Sequence, residues 1–372
     1  MAQPARFGAD VIVVGGGVAG LSVAALLAQH ARVLLLEREP LLASQASGNN
    51  AAIHRPLEHD ARSARLAARS RELLSSLIGP GLHSASGLLL VSHDAQPVTE
   101  LARVASEEGV RFALLDQAGL AAHAPSLVGG ETRHGMLLLD GGVLDLHALT
   151  SGLSRVARAH GAELRPGVEV AEVTHGAGRV NGVRLRDGQQ LTAAAVVLAA
   201  GAWSATLAAA SGFALPLTPL RRHLVQLKTA ARRAVDGPVI WRIDDEVYFR
   251  AESQGVLASP CDETPWPAES PPSDPAALLA LTHKLERLAP SLTDAAVQRS
   301  WACLRTFAVD RELVAGADSR VSGLYWLTGL GGRGMSVAAA GAELLVADLL
   351  KRGPSSEDAS ALAPSRLALA RE

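Results

Sequence analysis

The feature that most narrows the fold is the junction between a β-branched run and a cluster of glycines. Asp10-Val-Ile-Val-Val14 has the character of a parallel strand buried on both faces, and it leads straight into Gly15-Gly-Gly-Val-Ala-Gly20. Residues 18–29, rich in Ala and Leu, predict a helix, and Arg32-Val-Leu-Leu-Leu36 predicts the next strand, closed by Glu37 and Arg38. Gly15 permits the tight turn, Gly17 lets the backbone approach a pyrophosphate, and Gly20 lets helix and strand pack closely. The helix start at Val18 and Ala19 offers amide donors and the positive end of a dipole. Glu37, 17 positions beyond Gly20, is placed to accept hydrogen bonds from a ribose and to repel a 2′-phosphate. A glycine turn in an unrelated α/β sheet is the competing reading, but it does not account for the acid that closes the second strand. The unit predicts a dinucleotide site.

Residues 11–29 are apolar enough to suggest a signal peptide or a membrane span, yet four glycines break the stretch early, and a glycine-broken strand-to-helix turn is the better reading. The expectation is a soluble, cytoplasmic protein without a membrane span. A length of 372 residues favours one large or two smaller cores, and 48% hydrophobic content excludes a disordered chain. Net charge is −2, with 35 Lys plus Arg against 37 Asp plus Glu, which gives no footprint for nucleic acid. Cys261 and Cys303 form no CxxC pair, so neither a zinc cluster nor a dithiol is indicated, and no metal is expected. Lysine occurs only at 228, 284 and 351, which we read as genome composition.

Further along, Leu149–His160 predicts an amphipathic helix. Val168-Glu-Val170 follows, then two turn signals, Asn181-Gly182 and Asp187-Gly188, between short alternating strands. The strand Ala195-Val-Val-Leu-Ala-Ala-Gly201-Ala-Trp203 closes in small residues, as a strand passing near a ligand does. This layout resembles the glutathione-reductase-like class of FAD proteins. In that class the β-meander crosses the nucleotide-binding sheet and a segment matching Val168–Val170 contacts the adenine. The resemblance implies FAD, with Val170, Ala200, Gly201 and Trp203 near it.

Three more stretches narrow the likeness: Ala43-Ser-Gln-Ala-Ser-Gly-Asn-Asn50; Leu139-Asp-Gly-Gly-Val-Leu-Asp145 entering a helix; and Trp301-Ala-Cys-Leu-Arg305-Thr-Phe with Gly329-Leu-Gly-Gly-Arg-Gly-Met335. Together they resemble the D-amino-acid oxidase superfamily, which holds glycine oxidase, sarcosine oxidase and D-arginine dehydrogenase. The Arg221-Arg222 pair and the Ser259-Pro260 loop look closest to the last of these. The resemblance implies that Ser44, Ser47, Gly48 and Asn49 lie along the flavin, and that Gly331, Gly332, Arg333, Gly334 and Met335 meet its pyrimidine edge. Independently of the family, Gly329–Gly334 before a helix of small apolar residues is a helix N-terminus suited to a partial negative charge.

The fold class expected is α/β: a glutathione-reductase-like FAD-binding Rossmann domain with a β-meander, plus a second, mainly antiparallel α+β substrate domain. Residues 1–80, 145–210 and 305–355 are assigned to the first, 81–144 and 211–304 to the second, and 356–372 to a tail. Strands are expected at Arg222–Lys228, Val239–Arg242, Val247–Arg250 and Gly255–Ser259. Residues 261–275, with five prolines, read as a surface loop.

Arg305 follows an apolar run, so burial is expected, and a buried guanidinium needs an anion. That anion is either Asp310 or another acid of the chain, or the α-carboxylate of a substrate; the resemblance implies the substrate. Strand alternation puts Arg222, Leu224 and Gln226 on one face and Arg221, His223 and Val225 on the other, and the resemblance selects Arg222, with Tyr248 supplying a hydroxyl. Core packing is the ordinary alternative for Tyr248, and solvation for the arginines. His54, as a catalytic base, and Glu58, as a cation partner, follow the flavin loop. D-arginine dehydrogenase carries a glutamate near Gly87–Leu89 that recognises a cationic side chain; Gly87-Leu-Leu-Leu-Val91 stands there instead. Cys303 occupies the place of the cysteine that binds flavin covalently in sarcosine oxidase. Non-covalent FAD, with Cys303 as a small buried thiol, is the reading preferred.

The resemblance thus implies an FAD-dependent amino acid or amine oxidoreductase. It moves hydride to flavin N5 and yields an imino acid that hydrolyses to a 2-oxo acid and ammonia. The acceptor is a quinone or oxygen; Gly255–Ser259 lacks the lysine that promotes the oxygen reaction in sarcosine oxidase, which leans towards a dehydrogenase. Two other functions fit parts of the sequence. Ala46-Ser-Gly-Asn49 also resembles the tRNA wobble-uridine carboxymethylaminomethyl oxidase domain, and a flavin-binding subunit of a multi-chain dehydrogenase needs no turnover of its own.

Overall fold

A computed structural model describes residues 9–58, 60–229, 235–253, 255–352 and 356–367. Two large sheets carry most of the segments that the sequence marks as functional. The first has eight strands. Its parallel part runs, in order, Glu163–Pro166, Val33–Glu37, Ala9–Val14, the second half of Gln190–Leu198, and Leu324–Thr328. Val314–Ala317 adds an antiparallel edge. Gln190–Leu198 serves twice, because its first half closes the meander Val170–Gly176, Arg179–Leu185.

The apolar runs behave as two-faced strands should. Val11, Val13 and Leu35 pack beneath the helices Val18–Leu27, Leu146–Ala159 and Gly334–Leu349. Ile12, Val14, Leu34 and Leu36 face the other way, into a core with the meander and Trp326. Burying each such side chain is worth about 1.5–3 kcal/mol. The first glycine turn adds the close approach: Gly15 has φ +110°, and a Cβ there would stand 2.5 Å from the Ala199 oxygen. A Cβ on Gly20 would collide with the Gly15 carbonyl oxygen.

The second sheet has nine strands, antiparallel except where Val239–Arg242 runs parallel to Leu88–Ser92. Its spine is Leu217–Lys228 against Ala296–Ala308, paired from Leu217↔Ala308 to Lys228↔Ala296. All four expected strands are present, the first extended back to Leu217. Directly opposed residues share a face, so Arg222 opposite Cys303 and Leu220 opposite Arg305 place Arg222 and Arg305 diagonally on the same side.

The C-terminal segment departs from expectation. Within the span assigned to a tail, Glu357–Leu362 is helical, Pro364–Leu367 forms a 3-10 turn, and Leu362 is fully buried. Ser356 caps this helix by accepting from the Ala359 amide, and Arg62 and Arg65 pair with Asp358. Leu362 and Leu367 supply the apolar anchors that a polar-looking sequence conceals. Residues 368–372, like 1–8, lie outside the described residues. Among the described residues no helix is long and apolar enough to cross a membrane.

Candidate functional site

An elongated cavity of about 400 Å3 runs from the C-terminal ends of the parallel strands to the face of the second sheet. At one end it is lined by Gly15, Gly17, Val18, Ala19, Glu37 and Arg38, with Val168, Glu169, Val170, Ala200, Gly201 and Trp203 opposite. The helix Val18–Leu27 begins after Gly17 without a side-chain cap. Its first amide, Val18 N, donates to Ser47 Oγ at 2.9 Å. Glu37 is held by two backbone amides, Gly16 N at 2.6 Å and Glu39 N at 2.8 Å, one on each oxygen. Each oxygen keeps a second lone pair. Arg38 lies over the Trp203 ring at 3.8 Å.

The middle is formed by the loop at Ala43–Ala52 and by Gly329–Met335. Ala43, Ser44, Gln45, Ala46, Ser47, Asn50, Ala51 and Ala52 line it, as do Gly331, Gly332, Gly334 and Met335. The loop is tied by its own amides: Asn49 Nδ2 donates to Ser44 O, and Asn50 Nδ2 donates to Ala46 O and Ser47 O. The helix Gly334–Leu349 also starts without a side-chain cap. Two helix N-termini without an N-cap side-chain bond, far apart in sequence, thus border one elongated space, a donor set suited to a pyrophosphate at one end and to negative charge developing on a ring at the other.

The far end lies on the second sheet and is lined by Ile53, Arg55, Arg222, Trp241, Tyr248, Leu304 and Arg305. Arg305 is 7% exposed. Its Nη1 donates to Cys303 Sγ at 2.8 Å and to Leu304 O at 3.3 Å. Among the described residues it enters no ion pair, and Asp310, its expected structural partner, pairs with Arg366 instead. Tyr248 is buried against Trp241, ring centroids 4.6 Å apart, and burial pushes its phenol up to about 12 despite the pull of Arg305 and Arg222. Arg222 reaches Glu263 at 2.5 Å and the Asp262 carbonyl. Arg221 points to the other face, against Asp274 and the Trp266 ring.

The loop that supplies these acids was expected to be mere surface. It is exposed in large part, yet Asp262 Oδ2 accepts from His223 Nδ1 at 2.7 Å while His223 Nε2 accepts from Asp274 N. The loop is therefore pinned to the spine strand through Arg221, Arg222 and His223.

Several candidates are not brought to this cavity. His54 follows the lining residue Ile53 on a two-residue strand, so its ring faces the opposite way, into a separate cavity of about 360 Å3 beside His83, Arg71 and Ser75. Burial there pushes its imidazole down to about 3, reinforced by His83 and Arg71. Glu58 is taken up by Arg55 at 3.1 Å and Arg333 at 3.4 Å. Arg333 is buried with Glu58, Glu312 and the Arg311 carbonyl rather than lining the space. Gly20, Gly48 and Asn49 support the lining from behind: a Cβ on Gly48 would strike the Ala43 carbonyl oxygen. Cys303 is likewise behind it, its thiol donating to the Asn49 carbonyl at 2.9 Å. Both cysteines are free and buried.

Arg55 and Trp241 are lining residues that the sequence reading missed. Arg55 sits over the Trp241 ring at 4.0 Å. Its position immediately after Ile53-His54 was the available signal, since a strand-end residue two beyond a lining residue returns to the same side.

A family model described as DAO, FAD dependent oxidoreductase, matches residues 10–348. The chain is 30% identical over 271 residues to a D-amino acid dehydrogenase of Methylobacterium nodulans, a match covering 68% of this chain and 60% of that protein. It is 28% identical over 346 residues to a 4-methylaminobutanoate oxidase (formaldehyde-forming) of Paenarthrobacter nicotinovorans, covering 88% of this chain and 42% of that one. The chain thus spans less than two thirds of either relative. The crystal structure of L-proline dehydrogenase from P. horikoshii has the same fold, with a TM-score of 0.87 at 20% identity over 96% of this chain and 97% of that one.

Proposed function

The chain belongs to the DAO family of FAD-dependent oxidoreductases, and from that premise we propose that it oxidises the C–N bond of an amino acid or N-substituted amino acid. The product is an imino acid, which water hydrolyses to a 2-oxo acid and ammonia or an amine. One observation carries the reading. Arg305 is a buried guanidinium that lines the cavity and has no carboxylate among the described residues. A charge left that way is costly unless a ligand supplies the anion, and the planar Arg fork suits a carboxylate.

The lining fits FAD. Gly15, Gly17, Val18 and Ala19 would hold the pyrophosphate, Glu37 the ribose, and Val168–Val170 the adenine. Ser44, Ser47, Gly331, Gly332, Gly334 and Met335 would hold the flavin ring, without a covalent bond to Cys303. When bound, FAD supplies the acceptor for the hydride leaving the substrate carbon.

The chain's own residues supply position. Arg305 grips the carboxylate through Nε and Nη2, which make no hydrogen bond among the described residues. Tyr248, kept protonated by burial, donates its hydroxyl to the same group. Ile53, Leu304 and Trp241 wall off water, so the charge-assisted contacts act at low dielectric. Among the described residues, no His, Asp, Glu or Lys lines this end of the cavity. The substrate amine therefore loses its proton to solvent before the chemical step, and His54 has no part as base. Electrons then pass to a quinone or another carrier: Gly255–Ser259 has no lysine and none of its residues lines the cavity.

The test is anaerobic mixing of the FAD-loaded protein with D- and L-amino acids, glycine and N-methylated amino acids. Loss of the visible flavin absorbance with at least one of them is the expected result. A flavin that none of them bleaches would overturn the reading and favour a non-catalytic flavin subunit. Peroxide formed well below one equivalent per turnover in air is expected for the acceptor; stoichiometric peroxide would contradict it.

A further inference from the structure

The second-sheet end of the cavity holds more positive charge than one carboxylate needs. Arg55, Arg222 and Arg305 all line it, whereas the acids lining the same cavity, Glu37 and Glu169, stand at the nucleotide end. Arg305 and Arg222 are incompletely neutralised, and Arg55 belongs to a cluster in which Arg333 also pairs with Glu312. Arg305 enters no ion pair among the described residues. Arg222 shares Glu263 with Arg311. Arg55 shares Glu58 with Arg333.

Arg55 is the telling one. Its side chain is 13% exposed and Glu58's is 10%. The two come within 3.1 Å, yet the Arg55 guanidinium makes no hydrogen bond among the described residues. Arg55 Nε and Glu58 Oε1 are both buried without a hydrogen-bond partner. What Arg55 has instead is a ring: it lies over Trp241, and Trp241 lies against Tyr248. Arg55, its Nη1 against Glu58, thus still presents the Nη2 side of its fork one indole ring away from the tyrosine assigned to the α-carboxylate. Such a fork binds carboxylates in preference to neutral or cationic groups. Among the described residues, the charged side chains lining this end are all arginines, Glu58 is already paired, and Leu88–Val91 are buried strand residues.

We infer that the substrate carries two carboxylates: an acidic amino acid, or an amino acid bearing a carboxymethyl group on nitrogen. Its α-carboxylate sits on Arg305 and Tyr248 and its second carboxylate on Arg55. This inference rests on the C–N oxidation reading and narrows its substrate.

The experiment uses the FAD-loaded protein under anaerobic conditions. Rates of flavin reduction by D- and L-aspartate, D- and L-glutamate and iminodiacetate are compared with those of D- and L-alanine, proline, glycine and sarcosine. At least one dicarboxylic compound is expected to exceed its neutral counterpart in kcat/KM by about tenfold or more, the worth of one charge-assisted contact. Which compound does so separates the acidic side chain from the N-carboxymethyl group. Arg55→Met should reduce that ratio by about tenfold, and Arg55→Lys should restore part of it. If Arg55→Met fails to fold, ligand binding to the unmodified protein decides: succinate should perturb the flavin spectrum at lower concentration than butyrate. Neutral amino acids that reduce the flavin as well as the dicarboxylic ones, or butyrate that binds as well as succinate, would overturn the inference and leave C–N oxidation standing. A flavin that no amino acid reduces is the failure of the broader reading, and the inference falls with it.

Discussion

Arg305 Nη1 donates to the sulfur of Cys303 across 2.8 Å, two residues back along the same strand. The thiol in turn donates to the Asn49 carbonyl. Cys303 therefore links the carboxylate grip to the loop expected to lie along the flavin, and we propose that its sulfur serves there rather than in a bond to the ring. Acid precipitation should release all the flavin into the supernatant. Cys303→Ala should keep its flavin while KM for the substrate rises about fivefold, the loss of one modest hydrogen bond. Colour that stays with the precipitated wild-type protein, and is lost in Cys303→Ala, would contradict this.

Gly20→Ala tests the first glycine turn. The added methyl falls on the Gly15 carbonyl oxygen, so the helix must shift away from the strand that presents its amides. Overpacking of this kind costs about 1–3 kcal/mol. The variant should show a lower Tm and a flavin content well below one per chain, read from flavin released on denaturation. Wild-type values for both would mean that the close approach is not needed.

His54 should shape stability on the acid side without entering the chemistry. The unfolded chain protonates this imidazole near 6.5, while burial in the fold holds it neutral down to about 3. Between these values the unfolded state binds the extra proton, so stability falls as pH drops below 6.5. The single residue accounts for about 2 kcal/mol at pH 5. Urea unfolding of wild type and His54→Leu at pH 7.5 and pH 5 should show that much less acid sensitivity in the variant. Equal pH dependence in the two proteins would refute it, and so would a lost ionisation in the kcat/KM profile of the variant.

Tyr248→Phe removes the hydroxyl but leaves the ring stacked on Trp241. KM should rise about tenfold with little change in flavin content. Because burial holds the phenol near 12, the pH profile of kcat/KM should keep its shape and follow the amine of each substrate. A limb that disappears on removal of the hydroxyl would assign the ionisation to Tyr248.

The parts of the fold that were legible are those where one residue type is forced by geometry. The glycines at 15 and 20 answer a close backbone approach, Glu37 ends a strand, and the β-branched runs alternate between two cores. Arg305 was legible because a charge inside an apolar strand demands an explanation. His54 was not, since a two-residue strand gives no periodicity, and one residue of register decides which of two cavities a side chain enters. Glu58 and Arg333 looked functional singly and turn out to belong to one buried ion-pair cluster with Arg55 and Glu312, a long-range pairing that no local pattern encodes. The proline-rich loop reads as surface by composition, yet its acids fix Arg222 and His223 from the far side.

The carboxylate grip is tested most directly by the dissociation constant of a carboxylate ligand, measured from the change it causes in the flavin spectrum of Arg305→Met. The variant should contain flavin at the wild-type level and bind the ligand about a hundredfold more weakly, the worth of two charge-assisted hydrogen bonds, with Arg305→Lys in between. An unchanged dissociation constant would contradict the account at its centre.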